Sequence, residues 1–199
     1  MKKTVLFVLL EQYADWEAAY LSSAIYLLGE GRYEVKTVSL TRDTISSIGG
    51  FHTKPDYDIH SAPSAYEALI LIGGMTWREE SARQVEPLVE HCRQNARVLG
   101  GICDASAFLG TVGALNQVRH TSNDLNDVKQ WAGEAYTGEA NYIRQQAVRD
   151  KKVVTANGTA ALEFAKEVLL ALGVAEEEKI QGWYQFHKLG YYEAPMPQM

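Results

Sequence analysis

Gly100-Gly101-Ile102-Cys103-Asp104-Ala105-Ser106-Ala107-Phe108-Leu109-Gly110 is the stretch from which the rest of the chain can be placed. Arg97-Val98-Leu99 before it is short and apolar, as a strand would be, and Ala105 to Gly113 is rich in small and apolar residues, as a buried helix would be. A strand that ends on one reactive residue and turns straight into a helix is a nucleophile elbow, and so tight a turn demands small neighbours. Gly100 and Gly101 before Cys103, and Ala105 and Ser106 after it, meet that demand. The bend lifts the sulfur to the carboxyl edge of a parallel sheet. It also aims the backbone N–H groups of Asp104 and Ala105, at a helix N-terminus, toward any charge developing beside it. The same partial positive charge favours thiolate, the reactive form. A buried structural cysteine is the commoner fate of a lone Cys; the glycines and the strand-to-helix switch favour the elbow.

Working outward, Thr4–Leu10 and Glu67–Ile72 are apolar runs without alternation, suited to central parallel strands covered on both faces. Asp15 is placed to cap a helix from Trp16 to Leu28 whose buried face is Ala18, Leu21, Ile25 and Leu28. Tyr33–Leu40 alternates, as a strand nearer the sheet edge does. Thr44–Ile48, Gly49-Gly50 and Phe51–Lys54 read as a hairpin, and Asp56–Pro63 as loop. A helix is predicted over Glu79–Asn95, with Cys92 on its inner side and His91 exposed. Val118–Ser122 reads as a short strand or loop and Asp124–Trp131 as a short helix. Tyr142–Val148 and Lys152–Thr155 read as strands turning at Arg149-Asp150-Lys151. Helices follow over Ala160–Leu172 and from Ala175 to Trp183 or beyond, then an irregular tail, Tyr191–Met199. Trp183, Tyr184, Phe186, Tyr191 and Tyr192 read as core or dimer packing. Strands alternating with helices make a doubly wound, mostly parallel α/β sheet. Residues 1–199 read as one domain, without repeat or linker.

The 199 residues suffice for a large core without staples, and a net charge of −6 with no long basic run argues against nucleic-acid or anionic-membrane partners. Two cysteines make no disulfide framework, which points to a reducing cytoplasm. The apolar run after Met1-Lys2-Lys3 stops at Leu10, too short for a signal sequence, and no stretch has the length to span a membrane. No Cys or His spacing matches a metal site, and the loop after Leu10 lacks the small polar run that cradles a flavin phosphate, so no cofactor is expected.

Ligands of doubly wound sheets bind beyond the carboxyl ends of the strands. Three such ends carry chemistry here: Glu11–Glu17, Gly73–Trp77 and Cys103–Ser106. Gly73-Gly74 is either a plain turn or a place where backbone N–H groups approach a ligand, with Gly74 and Met75 as donors beside Asp104. Glu17 either complements the helix dipole or points inward at Cys103, where burial would raise its pKa. Among His52, His60, His91, His120 and His187, the best candidate base is His120, which follows the elbow helix. Tyr13, Trp16 and Trp77 lie on the same loops and suggest an apolar mouth.

Thr4–Leu10 with Asp15-Trp16-Glu17, Leu71-Ile72-Gly73-Gly74, Gly101-Ile102-Cys103-Asp104-Ala105 and Val154–Thr159 leading into Leu162-Glu163-Phe164-Ala165 together resemble the ThiJ/PfpI superfamily of class I glutamine-amidotransferase-like proteins. The resemblance runs from about Lys3 to Gly173. It implies a flavodoxin-like three-layer sandwich and a homodimer. It also implies Cys103 as nucleophile, Glu17 as the carboxyl bonded to it, and the Gly74 and Asp104 amides as oxyanion donors. Two positions depart from the pattern. Ala105 stands where the family elbow has Gly. Asn123 stands where members with a catalytic His carry it, His120 falling three residues earlier. Asn cannot titrate, which counts against reactions that must protonate an amine leaving group. The expected function is therefore a cysteine-dependent hydrolase or lyase of small carbonyls or amides, of amidase, glyoxalase or deglycase type. The alternatives are a redox or stress protein in which Cys103 is oxidised, and a binding or chaperone module that kept only the pocket.

Overall fold

The computed structural model describes residues 2–197. The chain opens with β1 (Lys3–Val8), α1 (Asp15–Leu28) and β2 (Tyr33–Ser39). A small hairpin, β3 (Ile45–Ser46) and β4 (His52–Thr53), and a short strand, β5 (Tyr57–Asp58), come next. Then follow β6 (Ala68–Leu71), α2 (Glu86–Gln94), β7 (Val98–Ile102), α3 (Asp104–Thr111), α4 (Leu125–Ala132), β8 (Ala147–Asp150), β9 (Val153–Ala156), α5 (Ala161–Leu172) and α6 (Glu177–Leu189). The main sheet has the order β5-β2-β1-β6-β7-β9-β8. Every pairing in it is parallel except β8 with β9.

Each face of the sheet carries its own core. Val5, Phe7, Ala68 and Ile70 pack under Leu21, Ile25 and Leu28 of α1, Phe164 and Val168 of α5, and Trp183 of α6. Leu6, Val8, Leu69, Leu71 and Leu99 pack under Val89 and Cys92 of α2, Phe108 and Leu109 of α3, and Val128 of α4. The chain is thus a mostly parallel α/β sandwich with helices on both faces, and the uninterrupted apolar runs of β1 and β6 reflect burial on both sides. Each fully buried Leu or Ile contributes about 1.5–3 kcal/mol relative to an exposed one. Gly100 is part of this packing. A Cβ there would stand 2.9 Å from Ile70 Cδ1 and 3.0 Å from Phe164 Cζ, so its smallness seats α5 as well as easing the bend.

The strand and helix sequence follows the expected one, with five local corrections. Asp15 does not cap α1. Ala14 is the cap residue, held by its N–H on the Gly73 carbonyl at 2.9 Å, and the Asp15 carboxylate instead accepts the Gly49 N–H at 2.9 Å, tying the hairpin to the helix. The stretch 56–63 is not all loop, because Tyr57-Asp58 pairs with Val38-Ser39 once Asp56 has accepted the Thr37 N–H at 2.8 Å. The expected helix 79–95 divides into a 3-10 segment, Glu80–Val85, and α2, which begins beside Pro87, a residue suited to a first helical turn. β8 begins only at Ala147, so 142–146 of the expected strand lies outside it, and the β8–β9 turn falls at Lys151-Lys152, with Lys151 at φ 54°, leaving Arg149 and Asp150 inside β8. The C-terminal aromatic group divides as well. Trp183 is core, whereas Tyr191 and Tyr192 are exposed on a turn. The expected irregular tail is a turn and coil as far as Pro197; its Gln198 and Met199, like Met1, lie outside the described residues.

Candidate functional site

β1, β6, β7 and β9 are neighbours, so the segments leaving their carboxyl ends meet over the middle of the sheet. Cys103 follows β7 and caps α3 with φ 58° and ψ −135°, a backbone state that costs a non-glycine residue about 1–3 kcal/mol. It is held there by its N–H on the Ala156 carbonyl at 3.0 Å, and by Ser106, whose N–H and hydroxyl both donate to the Cys103 carbonyl. The strain places the half-buried side chain on the cleft side of the bend.

Glu17, on the first turn of α1, is fully buried. Its Oε2 accepts the Gly73 N–H at 2.8 Å, while Oε1 has no hydrogen-bond partner other than the sulfur it faces. Burial raises this carboxyl to about 7, against the lowering effects of the Gly73 N–H and the Cys103 thiol. Burial also raises the Cys103 thiol, and the Glu17 charge adds to the rise. The Asn123 amide and the Asp104 N–H pull the other way, so the helix N-terminus alone does not set the thiol, as the sequence suggested it would. Two anions cannot be held side by side in this setting, and the pair shares a proton.

Asn123 is the third member. Its Nδ2 lies 3.4 Å from Cys103 Sγ, and its Oδ1 accepts the Gly158 N–H at 2.8 Å. Two glycines make room for this contact. A Cβ on Gly73 would stand 2.5 Å from Glu17 Oε2 and 2.6 Å from Cys103 Cβ; one on Gly158 would stand 2.9 Å from Sγ. Trp16, half exposed at the rim, donates from its indole N–H to the Gly158 carbonyl at 3.3 Å.

Of the backbone donors expected from sequence, the Gly74 N–H has no protein acceptor among the described residues. Met75 drops out, because its N–H is spent on the Gln12 carbonyl at 3.1 Å. The Asp104 N–H is directed at the sulfur. His120 is the main correction. It is fully buried away from Cys103, and its Nδ1–H donates to the Val118 carbonyl at 2.8 Å while its Nε2 accepts from the Tyr136 hydroxyl at 2.6 Å. Burial lowers its pKa, and both nitrogens are occupied as a neutral core histidine. The aromatic mouth shrinks to Trp16, since Tyr13 is buried with its hydroxyl on Thr53 and Trp77 is buried with its N–H on the Ile72 carbonyl. His91 is not exposed; it is half-buried against the Tyr66 hydroxyl. Cys92 is fully buried, its thiol pushed up to about 12 by desolvation.

Sequence reasoning missed Arg78. It donates to both Asp104 oxygens at 2.8 and 3.2 Å and to Asp127 at 3.0 and 2.7 Å, and lies 4.8 Å from the centre of the Trp131 ring. It therefore clasps the loop after β6 to the elbow and to α4. Its partners are 26 and 49 residues away in sequence, so no local pattern announces it. Among the described residues no group of three or more His, Cys, Asp or Glu is arranged to hold a metal ion, and no helix is long and apolar enough to cross a membrane.

A doubly wound sandwich that delivers a cysteine, at a positive-φ bend, to a buried glutamate defines a class of proteins built around one sulfur. The DJ-1/PfpI family model matches residues 3–171, and the chain belongs to the DJ-1/PfpI family. It is 37% identical over 193 residues to the uncharacterized protease YdeA of Bacillus subtilis, covering 96% of this chain and 93% of that one. It is 35% identical over 196 residues to the uncharacterized protease YoaZ of the same organism, covering 94% and 91%. Among solved structures, the thiJ/pfpI family protein from Bacillus anthracis superposes with a TM-score of 0.86 at 32% identity, covering 94% of this chain and 91% of that one. The DJ-1 superfamily protein Atu0886 from Agrobacterium tumefaciens superposes with a TM-score of 0.82 at 34% identity, covering 93% and 99%.

Proposed function

We propose that the protein is a cysteine-dependent hydrolase or lyase of small carbonyl compounds or amides, with Cys103 as nucleophile. The observation that carries this reading is the buried Glu17 carboxyl, raised to about 7, whose unpartnered Oε1 faces the Cys103 sulfur. The singly protonated pair shares one proton between Oε1 and the sulfur, and the reactive form is the one with the proton on Oε1, a thiolate beside a hydrogen-bond donor. The thiolate pair forms the S–C bond to the substrate carbonyl, and the carbonyl π pair moves to oxygen. That oxygen accepts the Gly74 and Asp104 N–H groups. The Glu17 proton then passes to the oxyanion or, in an amide, to the departing nitrogen. In an amide the C–N bond breaks with that protonation, and the resulting carboxylate deprotonates the water that releases the acyl group from sulfur. In a 1,2-dicarbonyl adduct the carboxylate first takes the proton from the former aldehyde carbon and returns it to the neighbouring carbonyl carbon, leaving a thioester for the same hydrolysis.

The relatives named as proteases invite a peptidase reading, but among the described residues the proton carrier beside the Cys103 sulfur is Glu17. His120 is tied into the core and Asn123 does not titrate, which favours small carbonyls and activated amides over peptide bonds. The proposal includes a homodimer in a reducing cytoplasm. The exposed Trp16, Ile48, Phe51 and Met75 on the loops around the site supply an apolar surface for a second copy. Consumption of glyoxal, and of an activated amide such as a p-nitroanilide, by the wild type and by Cys103→Ala and Cys92→Ala tests the reading. Activity lost only with Cys103 supports it; equal activity in all three overturns it.

The same contacts favour one other reading, a peroxide sensor. A protonated Glu17 and the Asn123 amide would both hydrogen-bond a sulfur oxyacid formed at Cys103 by hydrogen peroxide with release of water. Intact mass after peroxide titration reads it, as oxygen gained at Cys103 and not at Cys92.

A further inference from the structure

Past Asn123 the cleft opens into two hollows of about 330 Å³ each. One is bounded by Asn123, Tyr142, Arg144, Gln146 and Asn157 and the other by Asn123, Asp124, Tyr142 and Arg144. Three residues line both, so the hollows adjoin along one stretch of surface, the groove. One of the three, Asn123, is the residue whose amide reaches Cys103 Sγ, and the groove ends one side chain from the sulfur.

The polar groups around this groove are braced by the protein. The Tyr142 hydroxyl donates to the Ser122 carbonyl at 3.1 Å. Asn157 donates from Nδ2 to Gln146 Oε1 at 2.6 Å and accepts the Thr159 N–H on Oδ1 at 3.0 Å. Asp124 accepts the Asp127 N–H at 3.0 Å as the cap of α4. The exception is Arg144. Nearby Arg119 and Arg149 are paired with Asp150 and Glu167. Among the described residues, the Arg144 guanidinium has neither an ion-pair nor a hydrogen-bond partner. With Gln146 Oε1 already accepting, the Gln146 amide N–H groups are likewise left facing outward.

An unpaired guanidinium is a fork of N–H donors shaped for a planar anion. We propose that Arg144 is a specificity residue that grips the carboxylate of a small substrate. Asn123 lines the same hollows and touches the sulfur, which links the anion site to the nucleophile. The substrate class is a carbonyl compound carrying one carboxylate, such as a 2-oxo acid or its amide. Asp124 in the far wall sets the charge at one, because a phosphate dianion would meet its carboxylate. The inference rests on Cys103 as nucleophile, and its test separates the two.

Iodoacetate and iodoacetamide bring the same electrophilic carbon to a thiol and differ in charge. The ratio of their rates at Cys103 is expected to fall about tenfold from wild type to Arg144→Met, the scale of one charge-assisted hydrogen bond, with Arg144→Lys in between. The iodoacetamide rate itself is expected to hold. Arg144 is exposed and, among the described residues, makes no hydrogen bond or ion pair, so its substitution leaves the fold intact. An unchanged ratio overturns the proposal. Calorimetric titration of Cys103→Ala reads the groove without the nucleophile. Pyruvate is expected to bind, methyl pyruvate and inorganic phosphate to bind at least tenfold more weakly, and pyruvate binding to vanish in Cys103→Ala/Arg144→Met. Equal binding of the three probes overturns the carboxylate assignment. Pyruvate binding alongside a wild-type Cys103 that resists iodoacetamide would instead sink the nucleophile and leave the anion site standing.

Discussion

Glu17 gives one carboxyl oxygen to the Gly73 N–H at 2.8 Å and leaves the other to Cys103. The carboxyl and the thiol are both raised by burial, and each raises the other when charged, so they titrate as a pair. The rate of Cys103 alkylation by iodoacetamide is therefore expected to climb with pH in two steps, the first near 7 as the doubly protonated pair gives up one proton and shares the other, the second at higher pH as the shared proton leaves. In Glu17→Gln the first step disappears and a single thiol titration remains. Superimposable profiles for the two proteins would show that the carboxyl and sulfur are not coupled.

The same carboxyl makes a prediction about stability. Its folded pKa of about 7 lies above the ordinary 4.5, so between those values the folded state keeps a proton that the unfolded chain has released. The contribution is fully present below about 4.5 and is lost as pH rises through 7, a swing of about 3 kcal/mol for this group. Urea unfolding at pH 5 and at pH 9 should show that loss in the wild type. Glu17→Gln should lack that loss, so that the difference between the two proteins changes by about 3 kcal/mol over the interval, other groups, His120 among them, being common to both.

Gly73 is held by space rather than by backbone conformation. Its missing Cβ would overlap Glu17 Oε2 and Cys103 Cβ, both of them anchored. Gly73→Ala is expected to cost about 1–3 kcal/mol and to abolish the alkylation step near 7, by pushing the carboxyl off the sulfur. Gly31→Ala is a control for loss of a glycine in open surroundings, with destabilisation but a normal alkylation profile.

What could be read from the sequence was what is local. The strand–Cys–helix bend at Cys103 and the double-sided burial of β1 and β6 follow from neighbouring residues, and both are found. Glu17 and Gly73-Gly74 lie near Cys103 because the segments leaving β1 and β6 converge with the end of β7, whereas Asn123 comes from the segment between α3 and α4 and is held by the Gly158 N–H. What could not be read depends on distant pairing. Asp15 would cap α1 if Gly49 were not there to take its carboxylate. His120 looked like a base because it follows α3, and only the partners Val118 and Tyr136 show it to be core. Tyr13 and Trp77 sit on site loops but turn inward, a choice of side-chain direction that loop position does not encode.

His120 should then separate folding from chemistry. His120→Leu leaves the Tyr136 hydroxyl and the Val118 carbonyl without their buried partner, at a cost of about 1–3 kcal/mol. Cys103 alkylation and its pH profile are expected to match the wild type wherever the variant is folded. A loss of Cys103 reactivity larger than the loss of folded protein would return this histidine to the site.

Arg78 is the residue for which geometry says most and sequence said nothing. It pairs with Asp104, whose carboxylate raises both Glu17 and Cys103 by charge, and so offsets that charge. It also fixes the loop that carries Gly73 and Gly74 to the helix that begins at the elbow. The ion pairs are partly exposed, so their direct effect on stability is small, under about 1 kcal/mol. The effect on the sulfur is the sensitive readout. Arg78→Ala is expected to raise the pH at which Cys103 reacts and to slow its alkylation at pH 7, by up to about tenfold. Asp104→Asn in the same background should restore the profile, because it removes the charge that Arg78 was balancing. If Arg78→Ala slows the reaction and the second substitution does not recover it, the arginine acts by holding the loop in place rather than through charge. The retained ring contact with Trp131 in Arg78→Lys would then decide how much of that hold is stacking.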